Sequence, residues 1–162
     1  MLMQILEGMK VIQITQFIAG SRCTQLLADM GAEVVKVEPP RGDTLRMIFK
    51  MTPGAERNYS VFNCNKYGIA VNMSDPQGRE VILKLATISD IFVHNLIPGS
   101  IENLGLGYED IRSLKKDIIY TAMGTIRMPA PGLGEHNRFI LEQWLGYTPD
   151  EVQKLYKQGT IL

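Results

Sequence analysis

The chain is 162 residues long, 45% hydrophobic and 21% charged, with seventeen basic side chains against seventeen acidic ones. That balance supplies no basic excess to hold nucleic acid or an anionic membrane, and no apolar run approaches the roughly 20 residues that span a bilayer. One soluble domain is the expectation, large enough to bury a core but with no net charge to resist self-association.

Met9 to Thr15, MKVIQIT, reads as a buried strand because Val11, Ile12 and Ile14 are β-branched. Gly20 and Ser21 then suit a helix start. Leu26, Leu27 and Met30 supply an apolar stripe, and Gly31 stands where a C-cap glycine would. Val34, Val35 and Val37 form a second strand, stopped by Pro39 and Pro40. Strand, helix and strand form a βαβ unit, which joins parallel strands with right-handed sense. Residues 41–61 read as irregular. Ile69 to Met73 is the third strand candidate. The helix after it is capped by Ser74 or Asp75, has Pro76 in its first turn, and places Val81, Ile82, Leu85 and Ala86 on one face. Ile91 to Val93 is a fourth strand. A helical turn at 100–104 and a helix near 108–115 lead to a fifth strand at Ile118 to Ala122. Beyond a passage rich in proline and glycine, Phe139, Ile140, Trp144 and Leu145 form a helical stripe that ends at Gly146. Thr148, Pro149 and Glu151 make a capping-box start for the last helix. This alternation predicts an α/β fold: a Rossmann-like, doubly wound, mainly parallel five-stranded sheet with helices on both faces.

Such sheets bind ligands outside the C-terminal ends of their strands. Those ends carry Gln16 and Phe17, Glu38 and Pro39, Met73 and Ser74, His94 and Asn95, and Met123 and Gly124. The chain has neither GxGxxG nor GxxxxGK[ST], so Gly20 reads as a turn glycine before an anion cradle. Glu38 stands where a dinucleotide binder places its ribose carboxylate, but without the glycine fingerprint a solvated carboxylate is the plainer reading. His94 reads as a base or as a structural or surface histidine, and no neighbouring Ser or Cys announces a nucleophile. His136 suits a capping or packing role. Cys23 and Cys64 form no disulfide framework and no metal-ligand spacing, so no metal is expected. The first ten residues lack the apolar stretch of a signal peptide, and a cytoplasmic protein is expected.

Four segments, taken together, carry a resemblance. They contain LLADMGAEVVKVEPP, FNCNK, NLIPGSIENLGLGYEDI and LGEH, in that order. The chain resembles the family III CoA-transferases, the group that includes formyl-CoA and carnitine CoA-transferases and methylacyl-CoA racemase. The resemblance implies that residues 1–124 correspond to the start of the family's CoA-binding domain. It also implies that residues 129–162 correspond to the family's C-terminal end and dock on that domain, giving a single domain over 1–162. The middle of the family's chain, with its glycine-rich loop and catalytic aspartate, has no counterpart here, and Thr125 to Pro131 is the junction.

The resemblance therefore implies no catalytic residue in this chain. It implies weak binding of CoA or acyl-CoA, or none, and no turnover by the chain alone. Its CoA-site positions are Gln16, Phe17, Val71, Asn95, Leu96 and Leu104. Family members commonly carry basic or hydrogen-bonding groups where this chain has Gln16, Pro39, Ser74 and Asn103. Glu38 and Asp43 are the nearest substitute carboxylates. Surface once covered by the missing middle suggests a homodimer. The alternatives are a protein-interaction module on the same scaffold, or an enzyme completed by a partner chain.

Overall fold

Consecutive β-branched residues in Lys10–Ile14 and Glu33–Glu38 form two strands, β1 and β2, that pair in parallel from Lys10 opposite Glu33 to Gln13 opposite Lys36. In the computed structural model, which describes residues 4–52, 56–124 and 131–161, they lie at the middle of a five-stranded sheet. β3 (Lys66–Ala70) flanks β2, while β4 (Ile91–His94) and β5 (Ile119–Ala122) extend from β1, so the order is β3-β2-β1-β4-β5 and every pairing is parallel. Helices α1 (Phe17–Asp29), α2 (Thr44–Lys50), α3 (Glu56–Val61), α4 (Pro76–Thr87), α5 (Ser100–Asn103) and α6 (Tyr108–Leu114) make up the connections.

The sheet has a core on each face. Ile12, Ile14, Val37 and Phe92 pack with Ile82 and Ala86 of α4, Ile101 of α5 and Ile111 of α6. Val11, Val34 and Val93 pack on the other face with Ala28 of α1 and Ala32. Both cores follow from alternate side chains of buried strands. The α/β expectation and the five strands hold.

Several local expectations shift. α1 starts at Phe17, with Gln16 as N-cap, so Gly20 and Ser21 sit inside the helix. Its buried face is Gly20, Ser21, Thr24, Gln25 and Ala28, while Leu26 of the predicted stripe is 46% exposed. Small residues let the helix lie close to the sheet: a Cβ on Gly20 would stand 2.5 Å from Thr15 Cγ2 and 2.6 Å from Thr15 Cβ. Gly20 is thus a packing glycine, and Gly31, at φ +105°, is the true C-terminal turn. The third strand lies three residues earlier than predicted, because its pairing with β2 fixes Val34 opposite Lys66 and Glu38 opposite Ala70. The stretch 41–61 is not irregular throughout. Asp43 caps α2, accepting from the Leu45 amide at 2.9 Å. Asp75, rather than Ser74, caps α4.

The residues divide into two compact units, Met1–Thr125 and Ile126–Leu162. In the second, α7 (Asn137–Phe139) continues as a π-helical turn, Ile140–Trp144, and α8 (Pro149–Lys157) follows. The predicted capping box forms: Thr148 Oγ1 accepts from the Glu151 amide, and the Glu151 carboxylate accepts from the Thr148 amide. His136 makes no capping hydrogen bond. Trp144 and Leu145 of the predicted helical stripe are 72% and 62% exposed, since two short helices have too little surface to enclose them. Most of the expected junction, residues 125–130, lies outside the described residues.

Candidate functional site

The sheet is built outward in both directions from β1, so its crevice opens where the C-terminal ends of β1 and β4 part. Gln16 and Asn95 follow those two ends. The Asn95 carboxamide spans the gap: its Oδ1 accepts from the Gln16 amide at 2.8 Å and its Nδ2 donates to the Gln16 carbonyl at 2.7 Å. The Gln16 side chain turns to Thr44, accepting from its hydroxyl at 2.6 Å. Phe17, next along the chain, has φ +62° and a half-exposed ring. A left-handed backbone is costly for a non-glycine residue and needs support from its surroundings. α1 begins here with no acidic residue in its own first turn, and a carboxylate from elsewhere in the chain, Asp43, meets its first amide.

The support is a buried polar cluster. Lys36, at the centre of β2, is fully buried and its Nζ lies 2.7 Å from Asp43 Oδ2. The same ammonium donates to the Thr15 carbonyl at 3.2 Å and to Ser21 Oγ at 3.1 Å. The Asp43 carboxylate also accepts from the amides of Phe17 at 3.3 Å and Leu45. Buried Gln13 joins in, accepting from Thr24 Oγ1 at 2.6 Å and from Lys66 Nζ at 3.0 Å. Lys66 also donates to the carbonyls of Ser21 and Phe62. Burial and the nearby Lys36 ammonium pull Lys66 down to about 7.

Glu38 anchors the other side. Arg46 meets it with two parallel bonds of 2.7 and 2.8 Å, the Tyr59 hydroxyl donates at 2.6 Å and the Asp43 amide at 2.8 Å. The Arg46 guanidinium also lies 3.8 Å above the Tyr59 ring. Burial alone would raise the Glu38 carboxyl, but these donors outweigh it and hold it at about 2. Glu38 is therefore no solvated carboxylate.

His94 is buried among aromatic rings, with the Tyr120 centroid 5.3 Å away, and burial pushes its pKa down. Its Nδ1 has no hydrogen-bond partner among the described residues. Burial therefore favours its neutral form. A cleft of about 360 Å³ opens beside the strand ends, lined among others by Ser74, Asp75, Arg79, Glu102, Asn103 and Leu104. Arg79 donates to the Gly105 carbonyl at 3.2 Å. Asp75 is engaged as the α4 cap, and Glu102 is exposed with no hydrogen bond to fix its carboxylate among the described residues.

The predicted site residues separate into two groups. Gln16, Phe17 and Asn95 meet at the crevice. Val71 is buried in the α4-side core, with Leu96 and Leu104 packed against it, and only Leu104 also lines the cleft. Sequence reading passed over Lys36, Gln13, Ser21, Thr24 and Lys66. One signal was present: a lysine inside VVKVE, a run of the kind buried on both faces of a parallel sheet, needs a buried partner. No group of three or more His, Cys, Asp or Glu is placed to hold a metal ion among the described residues. Among them, too, no helix is long and apolar enough to cross a membrane.

Known proteins share this sequence and fold. The family model described as CoA-transferase family III matches residues 6–125. Human succinyl-CoA:glutarate CoA-transferase is 44% identical over 120 residues, covering 73% of this chain and 27% of that protein. Formyl-CoA:oxalate CoA-transferase of Streptomyces avermitilis is 36% identical over 119 residues, covering 73% and 29%. Among solved structures, a CAIB/BAIF family protein from Brucella suis aligns with a TM-score of 0.67 at 30% identity, covering 72% of this chain and 32% of that one. The hypothetical protein Rv3272 of Mycobacterium tuberculosis aligns at 0.66 and 35% identity, covering 90% and 42%. The chain spans less than a third of the length of the two curated relatives named. With most of its first unit matched by the family model, the chain belongs to CoA-transferase family III.

Proposed function

We propose that this chain is a minimal CoA-transferase-like protein that holds CoA or an acyl-CoA thioester weakly at the β1–β4 crevice and does not turn it over alone. One observation carries the reading: the two carboxylates beside the β1–α1 turn, Glu38 and Asp43, are buried and fully engaged by Lys36, Arg46, Tyr59 and backbone amides. Transfer of CoA through an anhydride needs a free carboxylate aimed at the thioester. Losing a nucleophile costs on the order of 10⁶ in turnover. Glu102 is exposed, and no hydrogen bond orients its carboxylate among the described residues.

Weak binding follows from the charges on the cleft. Ser74 and Asn103 offer no cation, Asp75 and Glu102 are acidic, and Arg79 is turned to a carbonyl. Each missing charge-assisted bond to a phosphate forfeits about 1.5–3 kcal/mol, and about 1.4 kcal/mol is tenfold in affinity. Affinity near the millimolar range is expected.

Titration of acetyl-CoA by calorimetry tests the binding claim, and no heat at millimolar ligand dismisses it. An assay of acyl transfer to carboxylic acids, repeated with Glu38→Gln, Asp43→Asn and Glu102→Gln, tests the second claim. Turnover by the unmodified protein, abolished by one of the three, would show a relocated nucleophile.

The reading extends to assembly. Residues 129–162 pack back onto residues 1–124, and the protein forms a homodimer. The family resemblance supports the docking, and exposed Leu133, Phe139, Trp144 and Leu145 support association, since so much apolar surface favours being covered. The two free cysteines suit a reducing, cytoplasmic setting.

A further inference from the structure

The β1–α1 turn presents Gln16 and Phe17 to the crevice in a conformation that Phe17 does not favour by itself. We infer that Asp43, paired with buried Lys36, is a positioning residue that latches this turn in its ligand-facing form. The inference rests on the CoA-binding reading of the crevice for its functional part, and on geometry alone for its structural part.

Three features support it. First, Asp43 does more than cap α2. A cap needs only the Leu45 amide, yet the same Oδ1 that accepts from Leu45 also accepts from Phe17, 26 residues earlier in the chain. Second, Oδ2 is held by Lys36 Nζ, and Lys36 in turn holds the Thr15 carbonyl. The two residues on either side of Gln16 are therefore fixed by one ion pair, Thr15 through its carbonyl and Phe17 through its amide. Asn95 fixes Gln16 itself from the opposite strand. Third, the pair is completely buried: Lys36 is 2% and Asp43 0% exposed. A buried ion pair gives little net stability compared with apolar residues of similar shape. Its geometric effect on the turn is the more direct account of its placement.

Amide exchange followed by nuclear magnetic resonance on the full chain tests the latch. In the unmodified protein the Phe17 amide should exchange at least about 100-fold more slowly than an unstructured amide, because it is bonded and part-buried. In Asp43→Ala it should speed up by about tenfold or more, while the Ile82 amide in α4 keeps its protection. The double variant Lys36→Met/Asp43→Asn retains an oxygen at the Oδ1 position and removes the charges together, so Phe17 protection should persist. If Asp43→Ala does not fold, the unmodified protein and the double variant still decide. A freely exchanging Phe17 amide in the unmodified protein, no change in folded Asp43→Ala, or loss of protection in the double variant each overturns the latch.

Acetyl-CoA titration of the same samples reads the functional part. Affinity should fall about tenfold in Asp43→Ala and recover in the double variant in step with Phe17 protection, with Ile82 protection unchanged throughout, which separates the turn from a general loss of stability. Unchanged affinity in folded Asp43→Ala overturns the functional part. If the unmodified protein gives no heat, it is the CoA reading that fails, and the latch is judged on Phe17 exchange alone.

Discussion

Asn95 holds both polar groups of the Gln16 backbone with a single carboxamide, across the gap between β4 and β1. The orientation of the carboxamide is fixed by its partners, since only Oδ1 can accept from the amide and only Nδ2 can donate to the carbonyl. Asn95→Ala leaves two part-buried backbone groups without partners. Loss of about 1–3 kcal/mol is expected from urea unfolding. Asn95→Asp keeps the acceptor but turns a carboxylate oxygen toward the Gln16 carbonyl, and it should be no more stable than the alanine variant. Equal stability of the unmodified protein and Asn95→Ala would remove Asn95 as the tie between the two strands.

Gly20 permits the approach of α1 to Thr15. A methyl group there meets Thr15 Cγ2 and Cβ at 2.5 and 2.6 Å, too close to stay without a shift of the helix. Gly20→Ala should destabilise by about 1–3 kcal/mol despite alanine's better helix propensity. Adding Thr15→Ser removes the nearer methyl and should restore part of the loss. Thermal unfolding of the three variants measures it, and a stabilised Gly20→Ala would contradict the packing account.

The Glu38 cluster makes stability depend on acid. The folded carboxyl sits at about 2, below its ordinary 4.5. A lowered folded value means that its contribution is complete above the unfolded value and fades as pH falls from 4.5 toward 2. The contribution should be about 1–3 kcal/mol, discounted because Arg46 is partly solvated. Arg46→Met removes the bidentate donor and should flatten this part of the pH profile. Urea unfolding between pH 3 and 7 on both proteins makes the comparison. Parallel profiles would show that Arg46 does not set the Glu38 carboxyl.

Docking of the C-terminal residues is open to a direct test. A single proteolytic cut within 125–130 should leave two fragments that co-elute on gel filtration, at the volume of the uncut protein and at the size of the proposed homodimer. Separation of the fragments would refute the docking, and elution of the uncut protein as a monomer would refute the dimer.

The sequence by itself determined the architecture. Runs such as MKVIQIT and AEVVKVE can be satisfied only as strands buried on both faces, and the helices between them force those strands parallel. The end of α1 at Gly31 and the Thr148–Glu151 cap were legible for the same reason: each depends on residues close together in the chain. Tertiary structure decided what depends on distant residues. Nothing near Leu26 reveals that α1 turns Gly20, Ser21, Thr24 and Ala28 toward the sheet with Leu27 beside them, and leaves Leu26 outside. That choice is made by Thr15, Lys36 and Lys66, which reach α1 from strand segments well apart in the sequence. Glu38 reads in the sequence as a solvated carboxylate and Asp43 only as a nearby substitute carboxylate, and folding brings Arg46, Tyr59, Lys36 and the Phe17 amide around them. Local patterning reports hydrophobic periodicity, whereas the state of a buried charge depends on partners that only the folded chain assembles.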